Sequence, residues 1–167
     1  MKSADSSTDV LHRGVYEVHL PVTDVGRSID FYVDRLGFEL GFGDRGDPSV
    51  LLMHPDAVAG PMMGLFQVDD IEHRHPAEYH VAFRVPTAHV DRMVSWLQGR
   101  GIAPEHPSTA PEQGAMSEPI VHGWMPAAAV FFTDPDGHLL ELIAELEGEP
   151  RPELNYRPLS EWRAAVG

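Results

Sequence analysis

Hydrophobic and polar positions are patterned most clearly between Val130 and Ile143. Val130-Phe131-Phe132 is an apolar run, and Leu139-Leu140-Glu141-Leu142-Ile143 is a second one interrupted by a single carboxylate. Between them Asp134-Pro135-Asp136-Gly137 predicts a tight turn, because proline presets one φ and glycine supplies a positive one. Two earlier stretches, Glu17-Val18-His19-Leu20-Pro21-Val22 and His80-Val81-Ala82-Phe83-Arg84-Val85, alternate with the period of a strand. Each leads through a capping residue, Asp24 or Thr87, into a helical pattern. Val25, Ile29, Tyr32, Val33 and Leu36 mark the apolar side of a helix over 25–36, and Val90, Met93, Val94 and Leu97 that of one over 88–98. Gly37, and Gly99 or Gly101, are expected to end them in the left-handed conformation.

Placing Val22 against Val85 and Asp24 against Thr87 sets Glu17 opposite His80 and His19 opposite Ala82. Each half then continues into further strands. The chain therefore reads as a duplicated β-α-β-β-β unit, with modules over 14–75 and 77–146 in one α+β domain. Residues 1–13 are polar and are expected to fray. Beyond Glu145 prolines extend the chain, and Leu159 to Val166 predicts a short helix capped by Ser160 and anchored by Trp162. This extension, 147–167, is expected to wrap the domain or a partner subunit.

Composition narrows the function classes. With 167 residues the chain can bury a full core. The absence of cysteine excludes disulfides, thiolate metal sites and a cysteine nucleophile. A net charge of −14, with Lys2 the only lysine, makes nucleic acid and anionic membranes poor partners. Neither a secretory signal nor an apolar run of membrane-spanning length is present, so a cytoplasmic location is expected. Gly41-Phe42-Gly43 and Gly99-Arg100-Gly101 lack the spacing of phosphate-binding loops.

Glu141 carries the chemistry. A lone carboxylate in a buried strand costs several kcal/mol, roughly, unless it is paired or bound to a cation, so a partner for it is expected. Around it the sequence resembles the vicinal oxygen chelate superfamily, which includes glyoxalases, bleomycin-resistance proteins and extradiol dioxygenases. The residues that carry the resemblance are Leu20 to Tyr32 with Leu36-Gly37-Phe38, then His80-Val81-Ala82-Phe83, then Asp134 to Leu142. It implies two modules curling into an open, barrel-like sheet around a central cavity with one divalent metal ion, Zn, Ni, Mn, Co or Fe. His80 and Glu141 match two ligand positions. The third falls on Glu17, while His19 lies two residues on, pointing to the same side, so either or both are candidates. Glu17 and Glu141 are the candidate proton-transfer groups. Arg84 is a candidate for holding a substrate oxygen, and Trp124, Phe42 and Phe66 for lining its site.

Bland readings stand beside these. Glu17 pairs with Arg84 on the same face, or His19 is a hydrogen-bonded core histidine. His138 is read as part of the turn, and His54, His73, His75, His89, His106 and His122 as loop or helix-surface residues. A proline-rich stretch from Ala103 to Pro126 is expected to border the site, with a cavity-lining strand near Pro119 to Trp124. A second loop spans His54 to Met62. The family implies a homodimer and a small-molecule substrate with neighbouring oxygens, turned over by isomerisation, ring opening or epoxide opening. No single relative fits fully. Glu145, Glu147 and Glu149 stand where fosfomycin-resistance proteins are cationic, and Met62 to Val68 offers only Gln67 where glyoxalase I has a further carboxylate. Extradiol dioxygenases need acid–base histidines, a role for His19 or His122 only in some geometries. The alternative is a metal-free protein of the bleomycin-resistance type that sequesters a cationic drug.

Overall fold

The structure, a computed structural model, describes residues 17–56, 62–68, 79–106 and 116–166, apart from the Glu17 side chain. Among these residues nine strands form two open sheets, and no closed barrel results. The first sheet contains β1 (Glu17–Val22), β2 (Glu39–Phe42), β3 (Ser49–Met53) and β4 (Met62–Gln67) in the order β1-β4-β3-β2. The second contains β5 (His80–Arg84), β6 (Ile120–His122), β7 (Ala127–Thr133), β8 (Leu139–Glu145) and β9 (Arg157–Pro158) in the order β5-β8-β7-β6-β9. The duplication is visible in the pairing: β1 runs parallel to β4 as β5 runs parallel to β8. Glu17 and His80 open equivalent strands, as the sequence alignment of the two halves required.

Helix α1 (Val25–Ile29) starts where Asp24 accepts a hydrogen bond from Arg27 N at 2.9 Å, and it widens into a π-helical segment over Asp30–Arg35. The second helix enters differently from expectation. Thr87 does not cap it; its hydroxyl donates to the Glu145 carbonyl of β8 at 2.8 Å. The chain instead winds as a 3-10 helix over Thr87–Arg92 before α2 (Met93–Gln98). Gly37 and Gly101 take positive φ, 84° and 68°, and Gly99 stays helical. Alternate residues of both sheets, among them Leu20, Leu52, Leu65, Phe132 and Leu140, join Ile29 and Leu97 in one buried cluster.

The Asp134-Pro135-Asp136-Gly137 turn holds the two modules together. Tyr32 donates to Asp134, while Thr23, Arg27 and Ser28 at the start of α1 all donate to Asp136. Burial opposes the charge on Asp136, but the hydrogen bonds from Thr23 and the nearby Arg27 guanidinium outweigh it and hold its pKa below the ordinary carboxylate value. His138 does more than complete the turn. It is buried, and its Nε2 donates to the Pro21 carbonyl at 2.7 Å.

The C-terminal extension packs onto the second sheet. Strand β9 pairs with β6, and α3 (Leu159–Val166) buries Leu159 and Trp162. Ser160 lies inside α3 and is not its cap. The Glu118 carboxylate accepts both its backbone N–H and its hydroxyl, at 2.8 and 2.9 Å, and so satisfies the helix start.

Candidate functional site

Strand alternation builds the site on the second sheet. Glu141 sits at the middle of β8, in register with Ala82 of β5 and Phe131 of β7, and cross-strand partners share a face. His80 on β5 and His122 on β6 lie on that face too, since His122 pairs with Ala127, two strand positions twice removed from Phe131. Glu141 is only 4% exposed. Its partners are two imidazoles: His80 Nε2 is 3.0 Å from Oε2, and His122 Nε2 is 3.0 Å from Oε1. An ionised carboxylate can only accept, so it takes an Nε2–H from each ring. Such charge-assisted bonds are each worth about 1.5–3 kcal/mol, which offsets the cost of burying the carboxylate.

The expectation of a partner on Glu141 is therefore met twice. His80 was expected near Glu141 as a fellow metal ligand, and the structure makes it a hydrogen-bond partner; His122 was not expected there. It is not a loop residue but the last residue of β6, 8% exposed, with Phe131 and Tyr156 edge-on at ring distances of 6.0 and 5.6 Å. The strand expected near Pro119 to Trp124 is there, and the pattern Ile120-Val121-His122 inside it was the available signal. His80 is more open, with 43% of its side chain exposed.

The remaining candidates are dispersed. His19 stacks on Phe66 within the first sheet, ring centroids 4.4 Å apart, directly over Gly64. Glu17 begins β1 in register with Met62, and its side chain lies outside the described residues. Arg84 pairs with Glu145 at 2.7 Å, on the exposed end of the same face as His80. Phe42 at the end of β2 is 67% exposed and Trp124, beyond β6, 59% exposed. His73 and His75 lie outside the described residues, as do parts of both proline-rich loops. Among the described residues no three His, Cys, Asp or Glu side chains are grouped to hold one ion. The site is a hydrogen-bonded trio, with each imidazole on its own carboxylate oxygen.

Paired β-α-β-β-β modules with a histidine on one parallel strand and a buried glutamate on its neighbour define a class of two-module α+β proteins. Residues 14–142 match the model of the Glyoxalase/Bleomycin resistance protein/Dioxygenase superfamily, and the chain belongs to that family. Solved structures agree. An integron cassette protein, HFX_CASS4, from the mobile metagenome of the Halifax Harbour sewage outfall is 26% identical with a TM-score of 0.60, the match covering 80% of this chain and 99% of that one. A superfamily member from Sphaerobacter thermophilus DSM 20745 is 25% identical, with a TM-score of 0.58 and coverage of 81% and 100%. A lactoylglutathione lyase from Agrobacterium tumefaciens, 20% identical over 81% and 96% of the two chains, shares the fold with a TM-score of 0.57. None of the curated proteins matches the chain. No described helix is long and apolar enough to cross a membrane.

Proposed function

We propose that this chain is a small-molecule enzyme of the glyoxalase and dioxygenase type that depends on a divalent metal ion. The observation that carries the reading is the buried Glu141 carboxylate held between His80 and His122. Imidazole nitrogen and carboxylate oxygen are the donors that Zn, Ni, Mn, Co and Fe accept, so the residue types fit such an ion. His80 and Glu141 would hold it, with Glu17 or His19 supplying a further donor from the same chain or from a second copy in a homodimer. When bound, the ion polarises neighbouring oxygens of a substrate and stabilises negative charge developing on them.

This chain's own groups do the rest. Glu17 is the group left to accept a proton from the substrate, because each Glu141 oxygen is engaged by an imidazole. His122 keeps the Glu141 carboxylate oriented. Arg84, on the same face as His80, leaves Glu145 to hold a substrate carboxylate or carbonyl. The reaction is an isomerisation, ring opening or epoxide opening, and we place it in the cytoplasm. The test is a screen of hemithioacetals, diols, catechols and epoxides with protein reconstituted separately with Zn, Ni, Mn, Co and Fe. Turnover with one ion that disappears in Glu141→Ala supports the reading. Turnover that persists in Glu141→Ala would overturn it.

A second reading has its own observation. The His19–Phe66 stack and the exposed Phe42, on a chain of net charge −14, suit a flat cationic drug held without metal. Drug binding that is unchanged by His80→Ala and by chelator favours this reading over the first.

A further inference from the structure

The segment that completes the surroundings of Glu141 lies outside the family domain. The family match ends at residue 142, yet the chain returns to the site through its C-terminal extension. Four contacts bring it there. Tyr156 N donates to the Val121 carbonyl at 2.7 Å, and β9 then pairs with β6 through Pro158 and Arg157. Arg151 N donates to the Gly123 carbonyl at 2.7 Å, and Gly123 N donates to Asn155 Oδ1 at 3.2 Å. A Cβ on Gly123 would overlap the Arg151 carbonyl oxygen, so the strap and the end of β6 are in direct backbone contact. Trp162 and Leu159, both 2% exposed, fix the far end.

At the middle of this strap stands Tyr156, with φ of 60°, the one non-glycine with positive φ among the described residues. A side chain there is disfavoured, and glycine would fit the backbone better. What the tyrosine does in that conformation is place its ring against His122, at 5.6 Å and 72°, in addition to the edge contact from Phe131 at 6.0 Å and 84°. The imidazole is thus in contact with two aromatic rings while its Nε2 is bonded to Glu141.

We infer that Tyr156 is a positioning residue: the C-terminal strap uses its ring to fix the His122 imidazole, and through it the Glu141 carboxylate, in the orientation the site needs. This deepens the metal-enzyme reading and rests on it only for its consequence in catalysis. No hydroxyl chemistry is involved, so phenylalanine should replace tyrosine.

Tyr156→Gly separates positioning from folding, because it removes the ring while relieving the backbone. Histidine side-chain NMR on full-length protein reads the result. The expected outcome is that Tyr156→Gly melts near the wild-type temperature while the His122 ring signals shift and broaden, and that Tyr156→Phe restores them. Zinc affinity, measured by competition with a chelator, should fall roughly tenfold in Tyr156→Gly, the usual size of an effect from a group that orients a ligand. His122 signals in Tyr156→Gly that coincide with wild type overturn the inference. If wild type takes up none of Zn, Ni, Mn, Co or Fe, the metal reading fails, and the ring signals still decide the role of Tyr156. Should Tyr156→Gly not fold, Tyr156→Leu keeps apolar bulk without the ring, and the same two outcomes apply to it.

Discussion

The Tyr32 hydroxyl donates to Asp134 Oδ2 at 2.8 Å, a bond between residues 102 positions apart that ties the helix of the first module to the turn of the second. Asp134 is buried, and its other oxygen already accepts the N–H groups of Asp136 and His138. Tyr32→Phe removes the donor and leaves a buried carboxylate oxygen short of a partner. The expected loss is about 1–3 kcal/mol, or about 2–4 °C in Tm for each kcal/mol in a chain of this size. Calorimetry checks it.

Alkali should find the same bond. Burial first, then the charges of Asp134 and Asp136, push the Tyr32 hydroxyl far above its ordinary pKa. A group whose folded pKa is raised contributes stability below its unfolded value, near 10, and loses it as pH rises further. Wild type should therefore lose stability above about pH 10 more steeply than Tyr32→Phe. Parallel urea titrations at pH 8 and in the alkaline range, about pH 10.5, measure the difference.

Asp136 sets the acid side. Its folded pKa is depressed, so its contribution is present above the unfolded value, near 3.9, and is lost as pH falls through the folded one. Asp136→Asn should be less stable than wild type at neutral pH. The gap should close as the pH drops below about 3.9. A gap that stays constant with pH would contradict the ionised clasp.

Glu141 variants separate charge from shape. Glu141→Ala strands His122, which is nearly buried, without its acceptor, at a cost of about 1–3 kcal/mol. Glu141→Gln keeps one acceptor oxygen and the side-chain volume, so it should lose less stability while losing metal as fully as alanine does. Denaturation and metal uptake, run on both variants, give the comparison.

Gly64 supports the His19–Phe66 stack. A Cβ there would stand 2.6 Å from Phe66 Cε2 and 2.8 Å from His19 Cδ2. Both obstacles are ends of side chains, so Gly64→Ala should fold but unstack the rings. Altered His19 ring signals in NMR are the expected sign, with drug binding, if present, weakened alongside.

The duplicated module, the hairpin around Asp134-Pro135-Asp136-Gly137 and the helix spans were legible because period and turn chemistry are local properties. His80 and Glu141 were legible as candidates, one from the family resemblance and the other also from its isolation among leucines. His122 was not, since a three-residue strand inside a proline-rich stretch has too few positions to show alternation, and its partner is 19 residues away. The role of His138 and the entry of the second helix were hidden for a related reason. Both depend on contacts across the fold, with Pro21 and with Glu145, that no local pattern announces. The return of Tyr156 to the site belongs to the same class.

The most direct test of the metal site is elemental analysis of untagged protein purified without chelator, beside His80→Ala and Glu141→Ala. The account predicts roughly one divalent ion per chain in wild type and a loss in both variants. Wild type that stays without metal after incubation with Zn, Mn, Ni, Co and Fe would contradict it.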